Sequence, residues 1–74
     1  MPFVIGVEEG DKTFKVGEAG YLVKDIDGSL AVYELRGRGK PEDDGRVFYE
    51  NPRVITRDNV TLEIVDGLRK ALEN

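Results

Sequence analysis

The run from Tyr21 to Leu35 constrains this chain more than any other stretch. Two apolar, β-prone segments flank Asp27-Gly28, the type of dipeptide that best tolerates the positive φ angles of a two-residue hairpin turn. A turn of that length leaves one register: Ile26 opposite Ser29, Asp25 opposite Leu30, Lys24 opposite Ala31, Val23 opposite Val32, Leu22 opposite Tyr33 and Tyr21 opposite Glu34. Alternation then puts Leu22, Ile26, Ala31, Tyr33 and Leu35 on one face, with Lys24 and Ser29 as its polar members. The other face carries Tyr21, Val23, Leu30 and Val32 against Asp25 and Glu34. Both faces are mainly apolar, whereas a hairpin at the surface of a two-layer domain shows one wet face. The hairpin is therefore predicted to be covered twice.

The rest of the chain has little with which to cover it. Its 74 residues suffice for a single domain, 1–74, near the size at which one hydrophobic core barely offsets conformational entropy. With neither Cys nor His, it has no disulfide, no thiolate or imidazole metal site, and none of the commonest general base. No cofactor or metal is implied. No apolar stretch approaches a membrane span and no signal-like segment stands out, so a cytoplasmic location with no membrane partner is the expectation. Charged residues make up 35% of the chain and Gln is missing, a pattern that suits heat adaptation.

Before the hairpin, Phe3–Val7 and Thr13–Val16 read as strands joined by the acidic 8–11 link, forming a first hairpin. Gly6 within the first strand marks a bulge, a close backbone approach or a tolerated glycine. After the hairpin, residues 36–45 hold no apolar side chain and read as a loop, before a strand at Arg46–Tyr49 that ends at Asn51-Pro52. Arg53–Thr56 and Val60–Ile64 read as strand, turn, strand, followed by a short helix over 67–72. The competing reading starts the helix near Thr61, at the cost of β-branched Thr61, Ile64 and Val65 in its early turns and of Gly67 in its middle.

Val54–Gly67, fourteen residues with Thr56-Arg57-Asp58-Asn59-Val60 at its centre, resembles the strand-turn-strand segment of stomatin and prohibitin-type domains, which scaffold membranes. It departs from that pattern by one extra residue before Asp66 and by Gly67 where a small side chain is usual. The resemblance implies a strand-turn-strand unit and carries no activity with it.

Three clusters carry residue types suited to chemistry. Arg36, Arg38 and Lys40 sit on a glycine-rich backbone that could track phosphates, with Tyr21, Tyr33, Phe48 and Tyr49 as stacking surfaces. Glu42, Asp43 and Asp44 nearly cancel those charges, and the chain has net charge -4, which disfavours nucleic acid as a partner. Asp25 and Asp27 match no calcium loop, because Gly28 falls at the fourth position rather than the sixth. Lys24, on an apolar face, is the one candidate base of a small enzyme or ligand-binding protein.

These observations predict an α+β, mainly β domain of five to six short antiparallel strands, curled as a small SH3-like barrel, with a short C-terminal helix. The function expected is a non-enzymatic interaction or assembly module, a homo-oligomer or small accessory subunit, with itself or another protein as partner. Tyr21, Val23, Leu30 and Val32 are its predicted contact face. A nucleic-acid-binding barrel using the 36–40 loop and a small enzyme around Lys24 are the alternatives.

Overall fold

The structure, a computed structural model, describes residues 3–73. It contains seven strands and one helix: β1 (Val4–Val7), β2 (Lys12–Val16), β3 (Ala19–Ile26), β4 (Ser29–Leu35), β5 (Lys40–Pro41), β6 (Val47–Glu50), β7 (Arg53–Val54) and α1 (Leu62–Glu73). The strands form two antiparallel sheets, ordered β1-β6-β5 and β2-β3-β4-β7, that do not close into a barrel. The mainly β architecture with a C-terminal helix is as predicted; the closed SH3-like barrel is not what forms.

β3 and β4 pair in the predicted register from Ile26↔Ser29 to Tyr21↔Glu34, extended by Gly20↔Leu35. Asp27 and Gly28 both take positive φ, 53° and 85°, as a turn matched to the right-handed twist of its strands requires. Asp25 Oδ1 accepts the Gly28 N–H at 2.9 Å and fastens the turn. A second two-residue turn at Gly17-Glu18, with Gly17 at φ 61°, joins β2 to β3.

β1 does not pair with β2, contrary to the predicted first hairpin. It pairs with β6, from Val4↔Glu50 to Val7↔Val47. The physical reason lies in Gly6, whose added Cβ would stand 3.0 Å from Cε2 of Phe48, so the Phe48 ring occupies the space above the glycine. The 8–11 link instead folds on itself. Asp11 N–H donates to the Glu8 carbonyl and Glu8 N–H to Asp11 Oδ2, and Lys24 of β3 clasps both carboxylates, at 2.7 Å to Asp11 and 3.3 Å to Glu8. The 36–45 segment is also more ordered than a loop. β5 pairs with β6, and a turn over 42–45 is closed by Glu42 N–H to the Arg46 carbonyl and by Arg46 to Asp44.

Residues 60–65 belong to α1 and its approach rather than to a strand. Thr61 caps the helix: its Oγ1 accepts the Ile64 N–H at 3.2 Å. The preceding turn is held by Asn59, which accepts the Thr56 N–H through Oδ1 and donates through Nδ2 to the Val54 carbonyl. Asp66 sits mid-helix, ion-paired to Arg69 and Lys70. The β-branched residues cost the helix a few tenths of a kcal/mol each. Packing of its apolar face outweighs them: Ile64 is buried, and Gly67 lies so close to β2 that an added Cβ would stand 2.6 Å from the Phe14 ring.

Among the described residues the buried hydrophobic core is Ile5, Tyr21, Leu22, Val23 and Ile64. Three consecutive hairpin residues are thus buried, so both faces of the hairpin are covered at its base. At its tip neither is: Ile26 and Leu30 are each 51% exposed.

Candidate functional site

The predicted contact face is divided by this gradient. Tyr21 and Val23, expected at a contact surface, are in the core; Val32 is half-buried and Leu30 is exposed. The Tyr21 ring stacks on Phe14 at 5.1 Å between centroids and 11° between planes. Its hydroxyl donates to Glu34 Oε2, and Glu34 also receives two hydrogen bonds from Arg53. Burial first, then the Glu34 charge and hydrogen bond, raise the Tyr21 pKa, partly offset by Arg53.

Leu30 and Val32 instead line a groove of about 400 Å³ between the outer side of β4, β7 and helix α1, with Val54, Val60, Val65 and Leu68 as its other apolar walls. Four of these, Leu30, Val54, Val60 and Val65, are large apolar side chains left exposed. Leu72, also exposed, meets Leu30 in an adjoining depression that includes Asp25. Arg57, in the turn before α1, stands at the groove as well. The outer side of β4 is only partly paired: β7 covers Tyr33 and Glu34, and Ile55 N–H donates to the Val32 carbonyl. Alternation along the β3–β4 ladder directs the N–H and C=O of Leu30 to this same side. The hairpin register and its apolar pattern brought Leu30 and Val32 into view from sequence. Val54, Val60 and Val65 were missed, because residues 60–65 read as a strand and the helix that carries Val65 to the groove depends on tertiary packing.

The Arg36–Lys40 cluster does not converge with the aromatic residues. Arg36 and Arg38 are exposed beside Asn51, while Lys40 is ion-paired to Glu50 at 2.7 Å. That hydrogen bond raises the Lys40 pKa and lowers that of Glu50. Tyr33 packs against Phe3, Arg46 lies 4.9 Å over the Phe48 ring, and Tyr49 lines the cleft between the two sheets. No common stacking surface is assembled from them.

That inter-sheet cleft, about 490 Å³, is apolar along Val7, Leu35 and Val47, with the Thr13 hydroxyl, the Lys15 ammonium and the phenols of Tyr21 and Tyr49 as its polar groups. The carboxylate that meets one of them, Glu34 on the Tyr21 hydroxyl, is itself held by Arg53. Among the described residues no group of three or more Asp or Glu is placed to hold a metal ion, and no helix is long and apolar enough to cross a membrane.

Lys24 is half-buried. Burial alone would pull its pKa down, but the hydrogen bonds and charges of Asp11 and Glu8 more than reverse this, so the pKa lies above the ordinary value of 10.5. A general base needs the opposite shift; here the ammonium ties the β1–β2 link to β3. A pH dependence follows. Lys24 and Tyr21 both have folded pKa values raised above their ordinary ones, so the stability they contribute is complete below pH about 10 and is lost as pH rises through the folded values. The urea midpoint is expected to fall as pH rises above about 10, and Lys24→Met to flatten part of that slope. A midpoint that does not fall as pH rises above about 10 would contradict both assignments.

Residues 54–67, the segment that resembles stomatin-type domains, form strand, turn and helix here rather than strand, turn and strand. No protein-family model matches the chain, and neither a curated protein nor a solved structure matches it.

Proposed function

We propose that this protein is a non-enzymatic interaction module that docks a protein partner in the groove between β4, β7 and α1. One observation carries the reading. Four large apolar side chains, from β4, β7, the turn and α1, converge exposed on a single groove in a chain whose described core contains only five buried hydrophobic residues. Apolar surface gathered in this way, rather than scattered singly, marks interaction sites. Apolar side chains of a partner laid along these walls would be desolvated together with them, the condition under which a few contacts dominate binding.

The reading is tested by placing a photo-crosslinking amino acid at Leu30 and, as a control, at exposed Glu18 on the β2–β3 turn. Irradiation of the chain in its native cells is expected to give a discrete protein adduct from position 30 and none from position 18. The adduct is expected to disappear when Val65→Glu is added. Adducts of equal intensity from both positions, or none from position 30, would remove the groove as a docking site.

A further inference from the structure

We infer that the occupant of this groove is a second copy of the chain, related to the first by a two-fold axis through the apolar patch. This rests on the groove being the docking surface.

A compact monomer of 8.3 kDa is expected to expose about 4,600 Å². This chain exposes 5569 Å². The excess, about 1,000 Å², counts every open surface of the chain, the inter-sheet cleft included, and is large enough to contain the roughly 800 Å² that each partner contributes to a standard interface. The radius of gyration agrees in direction, 12.1 Å against about 11 Å for a compact domain of this length. A chain this small has little surplus stability with which to maintain exposed apolar surface. Five of the nine large apolar side chains exposed among the described residues, Leu30, Val54, Val60, Val65 and Leu72, lie along this one patch.

Leu30 joins the two depressions that make up the patch, one containing Arg57 and the other Asp25 together with Lys12 and with Asp11, which Lys24 pairs. Neither Arg57 nor Asp25 takes part in an ion pair among the described residues. The patch therefore has Arg57 at one end and, at the other, two carboxylates beside one lysine. In an isologous dimer the same patch meets itself with its ends exchanged. A two-fold axis through the middle, near Leu30, sets Arg57 of each copy against Asp25 of the other, so the rim is self-complementary although each chain carries net charge -4.

The test is a charge swap read by light scattering after size exclusion. Interfaces of standard size bind in the micromolar range or tighter, so the wild type at about 100 μM is expected to have twice the chain mass. Arg57→Glu and Asp25→Lys are each expected to weaken association about tenfold or more by opposing like charges, and the double variant to restore it. Both positions are exposed, but Asp25 also fastens the Asp27-Gly28 turn through the Gly28 N–H, so Asp25→Asn, which keeps a side-chain acceptor and removes only the charge, is measured beside Asp25→Lys, with far-UV circular dichroism and a thermal melt for each variant. Restoration in the double variant is a result that mere surface damage cannot produce. A wild type that stays monomeric to about 1 mM would overturn self-association; the crosslinking from position 30 then decides separately whether the groove docks another protein. A dimer indifferent to both charge variants and to Leu30→Glu, or one that the double variant fails to restore, would overturn the two-fold arrangement.

Discussion

Leu22→Ala is expected to lower the stability of this protein by about 3 kcal/mol, within the range of 2–5 kcal/mol for truncating a buried leucine. Leu22 is the one large side chain with no exposed surface among the described residues. It lies at the centre of β3, opposite Thr13 in β2 and Tyr33 in β4, so a cavity there has walls on every side and little freedom to collapse. For so small a domain such a loss is a large part of the total stability. The informative comparison is Ile26→Ala, four residues along the same face of the same strand. Ile26 is 51% exposed, and its truncation is expected to cost under about 1 kcal/mol. Urea unfolding of the two variants, read by circular dichroism, measures both; comparable losses at Leu22 and Ile26 would mean that the burial gradient along the hairpin is wrong.

Gly67→Ala carries an expected effect of the opposite sign to its local chemistry. Alanine in place of glycine inside an exposed helix stabilises by about 1 kcal/mol. Here the new Cβ would stand 2.6 Å from Cδ2 and 2.9 Å from Cε2 of Phe14, and the Phe14 ring is itself held by its stack on Tyr21. Relieving that overlap requires α1 to lift from β2, at a cost of about 1–3 kcal/mol. The net expectation is destabilisation by about 1–2 kcal/mol. In a Phe14→Ala background the same substitution is expected to stabilise, because the obstructing ring is gone. A double-mutant cycle by urea denaturation should therefore give a coupling of at least about 1 kcal/mol. A more stable Gly67→Ala single variant would show that the helix does not sit on Phe14.

These two positions illustrate what could be read before the fold was known. Leu22 and Ile26 share a face by parity alone, and the Asp27-Gly28 turn places every hairpin residue opposite its partner without reference to anything outside residues 20–35. The same locality made Leu30 and Val32 legible as apolar side chains on one face of the hairpin. It also showed that Arg36, Arg38 and Lys40 are followed by Glu42, Asp43 and Asp44; of these Asp44 pairs with Arg46, while the carboxylate that meets Lys40 is Glu50, which lies outside that run.

What parity leaves open is depth. Tyr21 and Val23 share a face with Leu30 and Val32, yet the first two are core and Leu30 is half bare, because only the base of the hairpin is flanked by β2 and covered by other elements. Gly67 read as a reason to begin the helix late, since a mid-helix glycine costs helicity. Its benefit is a contact with Phe14, 53 residues away in the chain, which no local pattern contains.

The central hairpin, its turn and register, the mainly β character and a helical C-terminus all follow from φ preferences and periodicities spanning fewer than about ten residues. The pairing of β1 with β6 rather than β2, the helical state of residues 62–66 and the groove walled by Val54, Val60 and Val65 that Leu30 faces arise from contacts between distant segments. Those choices turn on the Phe48 ring above Gly6 and the Phe14 ring against Gly67. Such contacts outweigh local propensities of a few tenths of a kcal/mol, and they exist only once distant segments have been brought together.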